Sequence, residues 1–168
     1  MKIRTILLLV FIAGLSFTAF GQKRKAKVRY GKVCGDPTVK CKGADNFQAG
    51  DLPFDTGKNF VIYESEPFYG IVLKSVKLAD FGDCQKPSFK ESERVAMQAD
   101  FEHNKVFALN CLESGSNYYT GVADKTAFIA VYAGRTLTEA NQFLKTVQAL
   151  NKYPGIKIRK MRIGVNGT

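Results

Sequence analysis

The chain has 168 residues, 45% of them hydrophobic, with 25 Lys and Arg against 15 Asp and Glu and a formal charge of +10. That length suffices for one domain with a real hydrophobic core and falls short of two. Four cysteines and a single histidine, His103, leave little from which a nucleophile and its base could be assembled, so most hydrolase classes are disfavoured at the outset.

Residues 1 to 21 read as an export signal. Lys2 and Arg4 make a positive start, Ile6 to Phe20 a mostly apolar run, and Ala19-Phe20-Gly21 places small residues where a signal peptidase cuts, so cleavage is expected after Gly21. The run is shorter than the roughly 20 residues needed to cross a bilayer. No second hydrophobic stretch follows, and no transmembrane segment is expected after cleavage.

Removing Lys2 and Arg4 leaves 23 basic residues against 15 acidic ones, a formal +8 for the exported part. Lys23, Arg24, Lys25, Lys27 and Arg29 concentrate this charge in residues 22 to 33. The segment has nothing apolar to fold around and is expected to be a flexible basic arm able to contact anionic surfaces.

Residues 34 to 66 are rich in Gly, Asp, Pro and Lys and read as an irregular lead-in holding one short strand, "FVIYE", at 60 to 64. In an exported chain, Cys34, Cys41, Cys84 and Cys111 suggest two disulfides. Three connectivities are open. Cys34 with Cys41, flanking the turn-rich "GDPTVK", and Cys84 with Cys111 is the favoured one. The spacing has no C-x2-C or H-x3-H pair, so neither a metal nor a cofactor is expected, and His103 in "FEHNK" reads as a surface turn residue.

From residue 67 to 168 the periods alternate. "FYGIVLKSVKL" (68 to 78) is dense in aromatic and β-branched residues and predicts a strand. Ser88 and Glu91 form an S-x-x-E capping box ahead of a helix over "RVAMQADF". "VFALNCL" (106 to 112) is strand, "ESGSN" is turn, and "YYTGV" leads into the strand "AFIAVYA" (127 to 133). Gly134 stops that strand, Thr136 and Glu139 make a second capping box, and Leu137, Ala140, Phe143, Leu144, Val147 and Leu150 recur at helical spacing. "IKIRKMRI" (156 to 163) is the last strand.

Strand, capped helix, strand therefore occurs twice. Two such units predict an α+β fold, a split βαβ-βαβ (ferredoxin-like) four-stranded antiparallel sheet with both helices on one face. Alternation then assigns Ile71, Leu73, Ile129, Val131, Ile156 and Ile158 to the helix side. Phe68, Val72, Lys74, Phe128, Tyr132, Lys157 and Arg159 fall on the opposite side, mixing rings with cations. Residues 34 to 66 either leave that face open to a ligand or cover it and make its aromatics core.

The order of elements, the strand "FIAVYAG", the "RTLTEANQFLKTVQAL" helix and the final strand together resemble the sporulation-related repeat (SPOR) domain over residues 68 to 163, with Gly134 and Ala140 at matching positions. The resemblance implies a bacterial envelope module that binds peptidoglycan glycan strands lacking stem peptides. Rings stack on sugar faces, amide and guanidinium groups bond hydroxyl and acetamido groups, and a basic rim suits lactyl carboxylates. The ligand candidates are Tyr132, Phe128, Asn110 and Arg159, with Lys157 and Lys74 alongside.

The same residues bear on other classes. A nucleic-acid sheet of the RRM type would show an RNP motif, which is absent, and the export signal speaks against it. No G-x-S-x-G, HExxH or phosphate-binding glycine loop occurs, so a small secreted hydrolase is the weaker alternative and an enzyme is not expected. The other alternative is an envelope protein–protein interaction module using the basic arm and an exposed sheet edge. The expected location is periplasmic or secreted.

Overall fold

The computed structural model describes residues 40–41, 46–47, 51–52, 54–56, 62–79, 84–111 and 117–166. The expected export signal, the basic arm and Cys34 lie outside them. The elements in chain order are β1 (Phe54–Thr56), β2 (Ile62–Ser65), β3 (Phe68–Lys77), α1 (Glu91–Asp100), β4 (Val106–Leu109), β5 (Asn117–Thr120), β6 (Thr126–Gly134), α2 (Leu137–Ala149) and β7 (Lys157–Asn166). The fold is α+β, with all strand pairings antiparallel and the order β1-β2-β7-β3-β6-β4, β5 also pairing with β7.

The sheet is larger than the four strands expected. β7 is the reason, because its ten residues outrun β3, which reaches only Lys157 to Met161. Past that point the same edge of β7 takes β2, with Glu64 opposite Gly164, while the other edge takes β5, with Tyr119 opposite Ile163. The strand expected at 60 to 64 corresponds to β2 at Ile62–Ser65, with residues 60 and 61 outside the described residues. β1 and β5 are strands too short to carry a sequence period of their own.

The strand order sets β5 and β4 far apart, yet the Tyr119 ring stacks on Phe107 of β4 with centroids 5.3 Å apart. The sheet therefore curls back on itself, as twisted strands with unequal partners do. Curling encloses a second core inside the sheet, opposite the face that carries the helices.

The helix-side core contains Ile71, Leu73, Ile129 and Val131 as the alternation predicts, with Ala140 and Val147 of α2 against them and Ile156 and Ile158 at its margin. The second core gathers Phe68, Phe107, Phe128, Tyr132, Tyr119 and Met161 and is roofed by Phe47 and Leu52 from the lead-in. Phe47 sits 4.9 Å from Phe107 and 5.2 Å from Phe68, centroid to centroid. Buried Lys105 holds this lead-in from below, reaching Asp51 Oδ2 at 3.1 Å while lying over the Phe47 ring.

The two helices begin differently. Thr136 and Glu139 form the capping box ahead of α2, the Thr136 hydroxyl accepting from Glu139 N–H and the Glu139 carboxylate accepting from Thr136 N–H. Gly134, at φ 109°, turns the chain into that cap where a side chain would strike Glu139. The box expected from Ser88 does not form. Lys90 is the N-cap of α1 without a side-chain bond, because burial of Phe89 sets the chain's approach and Asn110 Oδ1 accepts from Phe89 N–H. Glu91 turns instead to Arg94.

Arg94 is 1% exposed and donates from Nη1 to the carbonyl of Val106 at 3.0 Å, while Gln98 Oε1 accepts from Val106 N–H at 2.8 Å. These two side chains of α1 satisfy the outer edge of β4, which no other strand covers among the described residues. Cys84 and Cys111 are joined, their Cα atoms 5.2 Å apart, tying the approach to α1 to the residue after Asn110. Cys41 is also disulfide-bonded.

Candidate functional site

The six ligand candidates do not form one surface. Phe128 is 1% and Tyr132 6% exposed, both inside the second core. Burial pushes the Tyr132 hydroxyl up to about 12, with the Glu139 carboxylate adding to the rise and Arg135 opposing it. A sugar cannot stack on either ring without displacing Phe47, Tyr119 or their neighbours. Of the two arrangements the sequence leaves open, the structure has the covered face, and the lead-in and β5 do the covering together.

Asn110 is engaged at the end of β4, where it receives Phe89 N–H. Lys74 is on the helix side, not with Phe128. The register of β3 against β6 slips between Val72 and Lys74, so Lys74 is opposite Ile129 and Ser75 opposite Phe128. One extra residue, Leu73, reverses the alternation for the rest of the strand. Lys74 accordingly reaches Glu93 Oε1 at 2.6 Å and lies over the Phe89 ring. The same slip carries Lys77 to the face that Lys74 was expected to occupy.

What remains is a groove of about 290 Å3 at the open margin of the second core, with Lys77, Lys157, Arg159, Val72, Thr126 and the edge of Phe128 in its lining. Lys157 and Arg159 project from one face of β7, roughly 7 Å apart along the strand. Lys157 is opposite Val72, and Lys77 lies roughly 15 Å further down β3. Val122 and Ala123, from the turn between β5 and β6, form the facing wall.

The charged residues that line this groove are all cations. Lys40, Lys74, Arg94, Lys105, Arg135 and Lys152 each pair with a carboxylate. Lys77, Lys157 and Arg159 pair with none among the described residues, and no carboxylate lines the groove. Three cations spaced along a concave, partly apolar wall give it a positive potential.

A wider cavity of about 520 Å3 lies between the end of β6 and α2, lined by Asn104, Tyr132, Arg135, Glu139, Gln142 and Thr146 among others. Three of its polar side chains are engaged within the fold. Glu139 caps α2, Arg135 pairs with Glu66, and Asn104 donates to the Tyr132 carbonyl. His103 is in the turn between α1 and β4. Among the described residues no three His, Cys, Asp or Glu are grouped as metal ligands, and no helix is long and apolar enough to cross a membrane.

No protein-family model, no curated protein and no solved structure matches this chain. The sequence signal that would have located Lys77 is the bulge at Leu73, and nothing in "IVLKSVK" marks it. Lys157 and Arg159 are legible in the sequence as two of the four cations of the final strand.

Proposed function

We propose that this chain is an exported, non-catalytic binding domain that holds an anionic polymer of the bacterial envelope in the Lys77, Lys157 and Arg159 groove. The single observation that carries this reading is that three cations, and no carboxylate, line one groove. Peptidoglycan glycan strands stripped of stem peptides are the ligand class that the SPOR resemblance implies, and their lactyl carboxylates supply the complementary charge. A periplasmic or secreted location follows from the export signal. The order β7-β3-β6-β4, with α1 and α2 packed on one side, supports reading the centre of the sheet as a split βαβ pair to which β1, β2 and β5 are added.

Glycan contact in this reading is through cations and the rim of Phe128, not through a ring platform. The test is retention of the protein on purified peptidoglycan with and without stem peptides, at low and high salt. The double variant Lys157→Glu, Arg159→Glu is expected to lose retention while keeping its circular dichroism. A protein lacking residues 22 to 30 is expected to keep it. Retention that survives the charge reversal, or that vanishes with the arm alone, overturns the assignment of the groove.

A further inference from the structure

Part of the β3 edge is paired with no strand among the described residues. β7 begins at Lys157, opposite Val72, so from Leu73 to Lys77 β3 is paired with β6 on one side and with no strand on the other among the described residues. Residues 74 to 77 are all exposed, Val76 at 42%. The Leu78 N–H donates to the Lys125 carbonyl across the β3–β6 ladder. By alternation, Val76 and Lys74 also bond towards β6, and the peptide groups of Ser75 and Lys77 point outward.

Two cavities flank this edge and share Val72, Ser75 and Gly155. On the helix side, about 380 Å3 is lined by Leu73, Met97 and Tyr153 among others. On the opposite side lies the basic groove. An extended chain laid beside Ser75 to Lys77 sends successive side chains alternately to the two cavities, the arrangement by which strand addition obtains affinity from main-chain bonds and specificity from pockets.

We infer that this edge is a docking site for an extended acidic segment of another protein, which adds as a strand to β3 and places its carboxylates against Lys77, Lys157 and Arg159. The occupant is acidic because the groove holds three cations and no carboxylate. A second copy of this chain fits poorly, since the edge it would offer, residues 73 to 77, carries two lysines and no carboxylate to meet the groove's cations. The inference stands apart from the polymer reading. A peptide uses the β3 edge and the groove, whereas a polysaccharide uses the groove alone, so the two compete.

The experiment titrates the full chain into a fluorescent peptide alternating glutamate and valine, with two controls: the same peptide N-methylated at alternate residues, and one alternating lysine and valine. The acidic peptide is expected to bind, and N-methylation, which removes the outward-facing N–H groups, to weaken it at least tenfold. Ser75→Pro removes an outward N–H while leaving the ladder to β6 intact, and is expected to weaken binding by roughly tenfold with an unchanged far-ultraviolet spectrum. Lys77→Glu with Arg159→Glu is expected to transfer preference to the lysine peptide. Equal binding by the N-methylated peptide, or by the Ser75→Pro protein, overturns the inference by showing charge adhesion only. So does absence of binding, or an edge-dependent dimer that Ser75→Pro abolishes. Loss of glycan retention in the Ser75→Pro protein is not expected, which keeps failure of this inference separate from failure of the polymer reading.

Discussion

Tyr118 of β5 lays its ring across Gly164 of β7, so closely that a methyl group on Gly164 would come within 2.0 Å of the ring. From there the Tyr118 hydroxyl donates to Glu64 Oε1 on β2 at 2.9 Å, so one side chain spans three adjacent strands. Burial, together with the Glu64 carboxylate, raises the Tyr118 hydroxyl above its ordinary value. Gly164→Ala is expected to push the ring aside and break this bond, at a cost of about 2 kcal/mol. A double-mutant cycle with Tyr118→Phe in urea checks it. If the ring is what Gly164 accommodates, Tyr118→Phe adds almost nothing in the Gly164→Ala background.

Arg94 is held by Glu91, whose carboxylate receives both Nε and Nη2, and its Nη1 donates to the Val106 carbonyl of β4. Glu91→Ala leaves a buried guanidinium without its carboxylate. Destabilisation of about 3 kcal/mol is expected, at the low end for a broken buried pair because Glu91 itself is 57% exposed. Chemical denaturation of the variant measures it, and Arg94→Met, which removes the charge as well, is expected to be milder.

Glu139 couples stability to pH. Hydrogen bonds from Thr136 N–H and Arg135 N–H, both 2.8 Å, hold its carboxyl below the ordinary 4.5 against the opposing effect of burial. A depressed folded value means that the unfolded chain binds the proton first. The contribution is therefore complete above pH 4.5 and is lost as pH falls through the lower folded value. Melting curves of the native protein and Glu139→Gln are expected to differ at neutral pH and to converge in acid. Thr136→Ala, which removes the reciprocal half of the cap, is expected to cost about 1 kcal/mol.

The Cys84–Cys111 bond closes a loop with a sequence separation of 27. Replacing both cysteines with serine is expected to cost roughly 3 kcal/mol in the denaturant midpoint analysis. The loss should be felt first around Phe89 and Asn110, whose hydrogen bond lies beside the bridge, and amide exchange at Phe89 is the local readout.

Most of the helix-side structure was legible before any coordinates. Ile71, Leu73, Ile129 and Val131 declare their face by alternation, Thr136 and Glu139 declare a helix start, and Cys84 with Cys111 was the favoured second pairing. These features depend on neighbours a few residues away or on a strong periodic pattern. The Ser88 box failed because a cap is a competition: Phe89 and Asn110 drew the chain onto a different approach to α1.

An α+β chain with two amphipathic helices, strands rich in β-branched residues and a last strand studded with cations can be read from residue order alone. Where those cations lie depends on long-range pairing. A single bulged residue, Leu73, reversed the parity of β3, sending Lys74 to Glu93 and bringing Lys77 to the groove with Lys157 and Arg159. Curling of the sheet, with Phe47 and Tyr119 drawn over Phe128 and Tyr132, turned an apparent ring platform into core. Side-chain parity and the covering of a face depend on which distant segments pair, and aromatic surface is buried wherever a curled sheet can reach it, because removing it from water is favourable in proportion to its area.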